Sequence, residues 1–399
     1  MNLKDKTIVL AVSGGIAAYK SVELLRLMIR QGASVRVIMT ANACAFVAPL
    51  TFEALSGNKV CRGLFEEDRD ASIQHIEWAR QADAVVVAPA TANIIGKLAG
   101  GIADDALSTL MLAVTVPVLV CPSMNTHMYR NRAVLRNLER LRDDGYTVLE
   151  PGTGELACGT SGAGRMPEPD IIVNRLLRLL SPDDLTGKKV LVTAGPTREP
   201  IDPVRFISNR SSGKMGYALA MAAEFRGARV TLVSGPTGLE PPLNVELVPV
   251  QTAADMADTV LSRLEEFDVI VKVAAVGDYR VTETAAHKIK KESAEAPTLR
   301  LSQNPDILKE ISRKKRRRTV VAGFAAETRH LEENARKKLA EKDLDLIIVN
   351  QVAGEKSAFD ADDNQVHLFF KDGREEPLPR MAKTALADLI WDRLRDLMA

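Results

Sequence analysis

Short apolar runs alternate with helix-like segments along the whole chain, and this alternation constrains the fold more than any other feature. In the first half, runs rich in Val, Ile and Leu occupy residues 7–12, 34–39, 84–88 and 117–121. Strands that are apolar on both faces suit a parallel sheet covered by helices on both sides. The sequence therefore predicts an α/β fold of the doubly wound, Rossmann-like type.

The same pattern restarts after a polar stretch, residues 181–188, whose Ser, Pro, Asp and Gly residues are typical of a linker. Five further apolar runs follow, at residues 189–193, 229–234, 269–274, 319–324 and 346–350. A chain of 399 residues is long enough for two domains. We therefore predict two α/β domains, residues 1–180 and 189–399, joined by a linker at 181–188.

Composition narrows the classes of function. The formal net charge is +1, so no overall field attracts nucleic acid or a membrane surface. No apolar run reaches the roughly 20 residues that span a bilayer, and residues 1–6 lead straight into a strand-like segment rather than a secretory signal. The four cysteines lack metal-ligand spacing. We expect a cytoplasmic protein with reduced, mostly buried cysteines and with neither nucleic-acid nor membrane partners.

A glycine-containing turn follows the first apolar run: Ser13-Gly14-Gly15-Ile16. Free backbone N–H groups and the positive end of a helix dipole can hold a phosphate at such a turn, although a plain tight turn between strand and helix explains the residues as well. The dinucleotide fingerprint G-x-G-x-x-G is missing, and the second run ends in Thr40-Ala41-Asn42 rather than an acidic residue. The pattern favours a mononucleotide.

Three further segments join this turn: His75, residues 89–93 and residues 122–128, which contain Asn125. Taken singly, His75 is explained by a surface helix and Asn125 by a turn. As an ordered set, they resemble the flavoprotein family of homo-oligomeric cysteine decarboxylases. A glycine-rich stretch at 152–166, which contains Cys158, looks like the substrate-recognition flap of the phosphopantothenoylcysteine decarboxylase branch of that family.

The resemblance implies a flavodoxin-like first domain that binds FMN and acts on phosphopantothenoylcysteine. It implies that His75 and Asn125 act early in the reaction and that Cys158 donates the last proton, whereas mere packing of Cys158 within the flap is the alternative. The implied FMN-binding residues are Ser13, Gly14, Gly15, Ile16, Thr40, Asn42, Ala90 and Thr91.

The second half carries a different signature, beginning at residues 194–205 and 209–216. Gly213-Lys214 invites comparison with a phosphate-binding P-loop, but Ser208 and Met215 stand where that motif needs Gly and Ser or Thr. With residues 274–280, 288–291, 304–308 and 323–328, these segments resemble phosphopantothenate–cysteine ligase. The chain has Gly277 where that family usually has Ala.

This second resemblance implies that CTP and 4′-phosphopantothenate form an acyl cytidylate, from which cysteine's amine displaces CMP. It places Lys288 at the activation step, Asn209 and Arg205 at the acyl-cytidylate step and Mg²⁺ near Asp278, although each lysine taken alone is better explained as a solvated surface charge. The implied nucleotide-binding residues are Lys272, Val273, Ala274, Asp278, Lys288, Pro305, Asp306, Ile307, Leu308, Phe324, Lys338 and Lys342.

Two alternatives of other classes remain at this point. A two-domain nicotinamide-dependent dehydrogenase fits the strand pattern but lacks the fingerprint and its ribose-binding acid. A nucleic-acid-binding protein depends on the basic run 313–318 alone, which we interpret as a solvated helix end. The family resemblance also implies a homo-oligomer, with trimer-based decarboxylase domains and dimeric ligase domains, up to a dodecamer.

Overall fold

The computed structural model describes residues 2–64, 74–156, 159, 161–290, 298–316, 318–327, 330–351 and 361–398. The chain divides into two compact units, Asn2–Ser181 and a second that begins at Pro182. Two predicted catalytic side chains lie outside the described residues. The backbone of His75 belongs to a described helix but its side chain does not, and Cys158 is not described at all.

The first unit alternates strands and helices as far as its fifth strand, and a hairpin and a last helix follow. Its elements are β1 (Thr7–Val12), α1 (Ala18–Arg30), β2 (Ser34–Met39), α2 (Ala41–Cys44), α3 (Pro49–Ser56), α4 (Gln74–Gln81), β3 (Ala84–Ala90), α5 (Ala92–Gly100), α6 (Ala106–Ala113), β4 (Val118–Pro122), α7 (Thr126–Tyr129), α8 (Arg132–Asp143), β5 (Thr147–Val148), β6 (Gly152–Glu155), β7 (Ser161–Arg165) and α9 (Pro169–Leu179).

The first sheet is parallel, with strand order β2-β1-β3-β4-β5. This is the flavodoxin-like order, in which the direction of winding reverses between β1 and β3. Every residue of β3 is buried, because helices cover both faces of the sheet. β6 and β7 form a separate antiparallel hairpin. The predicted flavodoxin-like fold of this domain is confirmed.

The second unit contains a larger mixed sheet. Its elements are β8 (Lys189–Ala194), β9 (Arg198–Pro200), β10 (Phe206–Ser208), α10 (Lys214–Phe225), β11 (Arg229–Ser234), β12 (Glu246–Pro249), α11 (Ala253–Ser262), a 3₁₀ turn (Leu264–Glu266), β13 (Val269–Lys272), β14 (Tyr279–Val281), β15 (Leu301–Gln303), α12 (Ile307–Lys314), β16 (Val320–Glu327), α13 (Leu331–Glu341), β17 (Leu346–Gln351), β18 (Asp363–Phe370), β19 (Glu375–Ala382) and α14 (Lys383–Leu397).

The order of this sheet is β12-β11-β8-β13-β16-β17-β18-β19. Its first six strands are parallel and follow the Rossmann order, with the reversal between β8 and β13. β18 and β19 add an antiparallel edge. The predicted α/β class is confirmed. Among the described residues, no helix combines the length and the apolar character needed to cross a bilayer.

Two strand ends differ from the sequence prediction. β13 ends at Lys272 rather than at residue 274, because the N–H groups of Val273 and Ala274 both donate to the Thr193 hydroxyl, at 3.1 Å each. β16 extends to Glu327 rather than to residue 324, because it continues to pair with β17 as far as Gln351. Both differences depend on contacts with a neighbouring strand, and the sequence of one strand alone does not predict such contacts.

The segment predicted as a linker packs against the second unit. Leu185 is fully buried, and its N–H donates to the carbonyl of Arg226 at 2.9 Å. Arg226 is itself 2% exposed, and its guanidinium donates to Asp184 at 2.8 Å and to Asp392 at 2.9 Å. The hydrogen bond from Arg226 is the largest influence that holds the pKa of Asp184 below its usual range.

A fragment that begins at residue 182 should therefore be more stable than one that begins at 189. The shorter fragment loses the burial of Leu185 and leaves Arg226 without one carboxylate, which together cost about 3 kcal/mol or more. Urea unfolding of both fragments measures the difference in free energy. Within the longer fragment, Leu185→Ala should reproduce much of the loss, whereas Lys189→Ala, at an exposed position, should change little. Equal stability of the two fragments would contradict this account.

Candidate functional site

A cavity of about 1,090 Å³ opens at the strand-order reversal of the first domain. It lies where β1, β2, β3 and β4 end, at the edge of a parallel sheet where ligands bind in doubly wound folds. Most of its lining belongs to the loops that follow these strands: Ser13–Ala17, Tyr19, Lys20, Thr40–Asn42, Thr91–Ile94 and Ser123–Asn125. We call it the first-domain cavity.

The turn between β1 and α1 supplies hydrogen-bond donors to this cavity. The N–H groups of Gly14, Ile16 and Ala17 have no acceptor among the described residues. They stand just before α1, whose first turn carries no acidic residue. A phosphate suits such a set of donors at the positive end of a helix dipole.

The Ser13 hydroxyl, which could hydrogen-bond a phosphate, instead bonds two backbone groups of the protein. Ser13 is buried, and its hydroxyl donates to the carbonyl of Pro89 at 2.7 Å. The same oxygen accepts the N–H of Thr91 at 3.1 Å. Ser13 therefore ties the end of β1 to the end of β3 and so fixes the shape of the turn.

Gly14 allows the first two strand ends to approach each other closely. A β-carbon at this position would lie 2.3 Å from the β-carbon of Asn42. Thr40 begins α2 by accepting the N–H of Ala43 at 3.2 Å, and Thr91 caps α5. Of the residues implied for FMN, all line the cavity except Ala90, which is buried inside β3.

Asn125 lines the same cavity from the loop after β4. Its Oδ1 accepts the N–H of His127 at 2.8 Å, which caps α7. The preceding residue, Met124, donates its N–H to the carbonyl of Gly164 in β7 at 2.9 Å. This bond joins the Asn125 loop to the β6–β7 hairpin, whose Glu155 and Arg165 also line the cavity.

Sequence reasoning missed the charged residues of this lining. Lys97 forms ion pairs with Asp104 at 2.6 Å and with Asp105 at 2.8 Å, and these contacts, Asp104 first, raise the pKa of Lys97. Lys20 forms an ion pair with Glu168 at 2.7 Å. No local pattern marks these residues, because their positions depend on helix packing.

The lining fits FMN in its residue types. The turn offers unpartnered N–H groups for a terminal phosphate, and the small side chains at Gly15, Ala41 and Ala92 leave room for a flat ring system. The Gly14–Asn42 approach forms a cradle that any larger side chain at position 14 would fill.

The second domain has a cavity of about 440 Å³ beside β13 and β16, which we call the lysine cavity. Lys272, Lys338 and Lys342 all line it, together with Asp278. The apolar part of its lining includes Leu308 and Phe324, both implied for nucleotide binding, and Ala274. Parallel strands end here too, next to the reversal of strand order.

Positive charge dominates this cavity. Burial lowers the pKa of Lys272 to about 8, and the neighbouring charge of Lys342 acts in the same direction. Lys342 forms an ion pair with Asp306 at 3.0 Å. Burial acts to raise the pKa of Asp306, but the hydrogen bond and charge of Lys342 leave it below its usual range. A polyanion such as a triphosphate suits this environment.

Two threonines hold the loop that forms one wall of the lysine cavity. The Thr193 hydroxyl, fully buried, accepts the N–H groups of Val273 and Ala274. The Thr197 hydroxyl accepts the N–H of Gly277 at 2.9 Å. The conformation of residues 273–277 therefore depends on Thr193, near the end of β8, and on Thr197, which follows that strand.

The residues implied for formation or reaction of the acyl cytidylate separate into two groups. Asn209 lines the lysine cavity and donates from Nδ2 to the carbonyl of Ala275 at 3.3 Å. Arg205 does not line it. Its guanidinium donates to the carbonyl of Ile289 at 3.3 Å and lies 3.8 Å from the buried carboxylate of Asp202. Lys288, next to Ile289, is exposed and also lies outside the lining.

The remaining residues implied for nucleotide binding lie near the lysine cavity but outside its lining. Asp306 begins α12 by accepting the N–H of Lys309 at 3.3 Å and reaches the cavity through Lys342. Ile307 is buried at the start of that helix, and Pro305 precedes it. Val273 lines a neighbouring space of about 140 Å³ instead.

This neighbouring space, the α10 cavity, lies at the N-terminus of α10 and contains Gly213, Lys214 and Asn350 in its lining. The Oδ1 of Asn350 is buried without a hydrogen-bond partner. A third space of about 590 Å³, the outer cavity, is lined by Arg198, Ser211 and Asn209. The lysine cavity shares Ala275 with the α10 cavity and Asn209 with the outer cavity.

Asp278 is the acidic residue in the lining of the lysine cavity. Among the described residues, no cluster of three or more His, Cys, Asp or Glu side chains is arranged to hold a metal ion. Mg²⁺ commonly takes one or two carboxylates together with phosphate oxygens of the substrate. Asp278 therefore fits an ion that arrives with a nucleotide rather than one held by the protein alone.

Two family models match the chain. Residues 1–181 match the model described as Flavoprotein, and residues 185–398 match the one described as DNA/pantothenate metabolism flavoprotein C-terminal domain. The chain is 49% identical to the coenzyme A biosynthesis bifunctional protein CoaBC of Bacillus subtilis (strain 168) over 401 residues, which cover 100% of this chain and 98% of the relative.

A second relative bears the same name in Escherichia coli (strain K12). It is 46% identical over 397 residues, covering 99% of this chain and 98% of the relative. Among solved structures, the C-terminal domain of a coenzyme A biosynthesis bifunctional protein CoaBC is 42% identical and covers 54% of this chain and 98% of that chain, with a TM-score of 0.47.

Substitution of Gly14 by alanine should remove flavin from the purified protein. The added methyl group would collide with Asn42 and force the phosphate-binding turn away from α2. The ratio of visible flavin absorbance to protein should fall by about tenfold, as expected for a loss near 1.4 kcal/mol or more. Gly96→Ala is the matched control, because a β-carbon in α5 would only touch Asn137 at 3.7 Å. Normal flavin content in Gly14→Ala would contradict this placement of the cofactor.

Proposed function

The chain belongs to the family of bifunctional coenzyme A biosynthesis proteins, which unite a phosphopantothenoylcysteine decarboxylase and a ligase, and we propose how its two domains divide these reactions. Residues up to 181 bind FMN and decarboxylate 4′-phosphopantothenoylcysteine. Residues from 182 onward join 4′-phosphopantothenate to cysteine with CTP. Together the two domains produce 4′-phosphopantetheine.

The observation that carries this division is the difference between the two cavities. The first-domain cavity presents backbone N–H groups beside small side chains, which suit one phosphate and a flat ring. The lysine cavity presents three lysines, which suit a triphosphate. The alternative of a nicotinamide-dependent dehydrogenase finds no support, since both relatives are coenzyme A biosynthesis proteins and neither turn carries the dinucleotide fingerprint.

In the first domain, the protein holds, orients and shields the reactants. The N–H groups of Gly14 and Ile16 bind the terminal phosphate of FMN. Bound FMN supplies two-electron chemistry at the substrate carbon that bears the thiol. Asn125, which lines the cavity, donates from its amide to the substrate's carboxylate. The hydrogen bond from Met124 to Gly164 supports this proposal, because it holds the Asn125 loop against the β6–β7 hairpin, which also lines the cavity.

His75 and Cys158 keep the roles that the family resemblance implies. A neutral His75 accepts a proton from the substrate's thiol or positions that thiol. Cys158 donates the proton that completes the product, since the S–H group of a thiol is a proton donor. In the sequence Cys158 follows Leu156 by two residues, and Leu156 lines the first-domain cavity.

In the second domain, a carboxylate oxygen of 4′-phosphopantothenate attacks the α-phosphorus of CTP. The bond from that phosphorus to the bridging oxygen breaks, and pyrophosphate leaves. The amine of cysteine then attacks the acyl carbon, CMP leaves, and the amine loses a proton. Lys272, Lys338 and Lys342 stabilise the triphosphate, Asp278 takes part in holding Mg²⁺, and Lys288 acts at activation as the resemblance implies.

The arrangement of the three cavities supports a position for each substrate. CTP occupies the lysine cavity, and 4′-phosphopantothenate extends through the α10 and outer cavities. The N-terminus of α10, where Gly213 has a φ of +78°, offers N–H groups to its phosphate. Because the cavities share Asn209 and Ala275, the carboxylate and the α-phosphate meet there.

We also propose a homo-oligomer in the cytoplasm. Large apolar side chains outside the cavity lining are exposed in the first domain, among them Leu50 (70%), Leu112 (59%) and Phe46 (50%), and a second copy would bury them. Cys44, Cys61 and Cys121 are reduced cysteines, which suit a reducing compartment.

The two activities should separate with the two units. Fragment 1–181 should purify with flavin and release CO2 from phosphopantothenoylcysteine without a nucleotide. Fragment 182–399 should be colourless, release pyrophosphate from CTP only with phosphopantothenate present, and release CMP only when cysteine is added as well. The unfragmented protein serves as the control for both assays. A folded first fragment that binds no flavin, or a second that turns over no nucleotide, would overturn the corresponding assignment.

Nucleotide binding should weaken as the pH rises above about 8. In the free protein the pKa of Lys272 is about 8, because burial and the charge of Lys342 disfavour its ammonium form. A bound triphosphate favours the charged form and raises this pKa, so the complex holds more protons than the free protein above pH 8. The affinity therefore falls by up to about tenfold per pH unit there.

Calorimetric titration with CTP near pH 9 in two buffers of different ionisation enthalpy measures this proton uptake. Uptake should approach zero near pH 6, where Lys272 is already charged. Lys272→Met should bind more weakly at neutral pH and take up no proton at either pH. An affinity that does not change with pH in the wild-type protein would show that Lys272 does not face the nucleotide.

A further inference from the structure

Arg210 is a cationic residue of the lysine cavity that the family resemblance did not imply. Its side chain lines the cavity together with Lys272 and Asn209. Arg205, the arginine that the resemblance does imply, is outside the lining and is engaged by Asp202 and the carbonyl of Ile289. The folded chain therefore presents a different arginine to the cavity from the one expected.

The guanidinium of Arg210 is available to a ligand. Among the described residues it has no hydrogen bond and no ion pair, and it is exposed. Lys342, in contrast, is paired with Asp306. An arginine presents five N–H donors in a planar fork, which matches two oxygens of a phosphoryl group. An unpaired guanidinium in a cavity rich in lysine suits an anion that arrives with the substrate.

The location of Arg210 indicates which part of the nucleotide it meets. Asn209, its neighbour in the chain, lines both the lysine cavity and the outer cavity, and its Nδ2 is bonded to Ala275, which lines the α10 cavity. These residues mark the place where the three cavities join. Arg210 lines the lysine cavity alone, so it stands on the nucleotide side of this junction.

We propose that Arg210 is a further catalytic residue of the ligase reaction, whose guanidinium donates hydrogen bonds to the non-bridging oxygens of the nucleotide's α-phosphoryl group. This inference rests on the proposed CTP-dependent activation. The carboxylate oxygen bonds to the α-phosphorus while the bond to pyrophosphate breaks. Negative charge builds up on the non-bridging oxygens in this transition state. A donor positioned there stabilises the transition state more than it stabilises bound CTP.

The test is the rate of pyrophosphate release from CTP and 4′-phosphopantothenate by the full-length enzyme without cysteine. Arg210→Gln should lower kcat on the order of 100-fold, the usual loss for one such donor, with the Kd for CTP changed much less. Arg210→Lys should recover part of the rate, because it keeps the charge but loses the planar fork. Arg229→Gln is the matched control, because Arg229 is an exposed arginine at the opposite end of β11 from the cavities.

A second measurement separates catalysis from structure. Both Arg210 variants should lose much less in the conversion of preformed acyl cytidylate and cysteine to product, since that step breaks a bond at the acyl carbon and none at the α-phosphorus. A kcat for Arg210→Gln equal to that of Arg229→Gln would overturn the proposal, as would a raised KM for CTP with an unchanged kcat. Failure of the wild-type enzyme to release pyrophosphate would instead refute the proposed activation by CTP.

Discussion

The reversal of strand order among the parallel strands of each main sheet is the constraint on which both sites depend. Crossover connections are right-handed, so the loops on the two sides of a reversal pass to opposite faces of the sheet. They diverge from each other and leave a crevice at the carboxyl ends of the strands. The first-domain cavity lies between β1 and β3, and the second-domain cavities lie around β8, β13 and β16.

Hydroxyl side chains give these crevices their shape by bonding backbone groups. Ser13 joins the ends of β1 and β3, and Thr193 and Thr197 hold the loop after β13. Each hydroxyl compensates backbone polar groups that would otherwise be buried without partners. A serine or threonine beside a phosphate-binding turn therefore need not bind the phosphate itself. It can instead position the backbone N–H groups that bind the phosphate.

The two domains differ in how they treat positive charge. In the first, Lys20 and Lys97 are paired with nearby carboxylates, and the turn between β1 and α1 adds backbone N–H groups that attract a phosphate. In the second, burial makes the charged form of Lys272 unfavourable and so lowers its pKa. A polyanionic nucleotide offsets that effect, and this links the affinity of the lysine cavity to pH.

The sequence by itself determined the fold class, the two-part organisation and the family of the protein. Apolar runs and strand–turn–helix signals such as residues 7–16 act over a few residues, so they can be read locally. Only the tertiary structure decided that Leu185 packs into the second unit and that Ala90 is buried. It also decided that Arg210 rather than Arg205 lines the lysine cavity. These outcomes depend on contacts between distant segments, such as the bond from Asn209 to Ala275, and no periodicity within one segment encodes them.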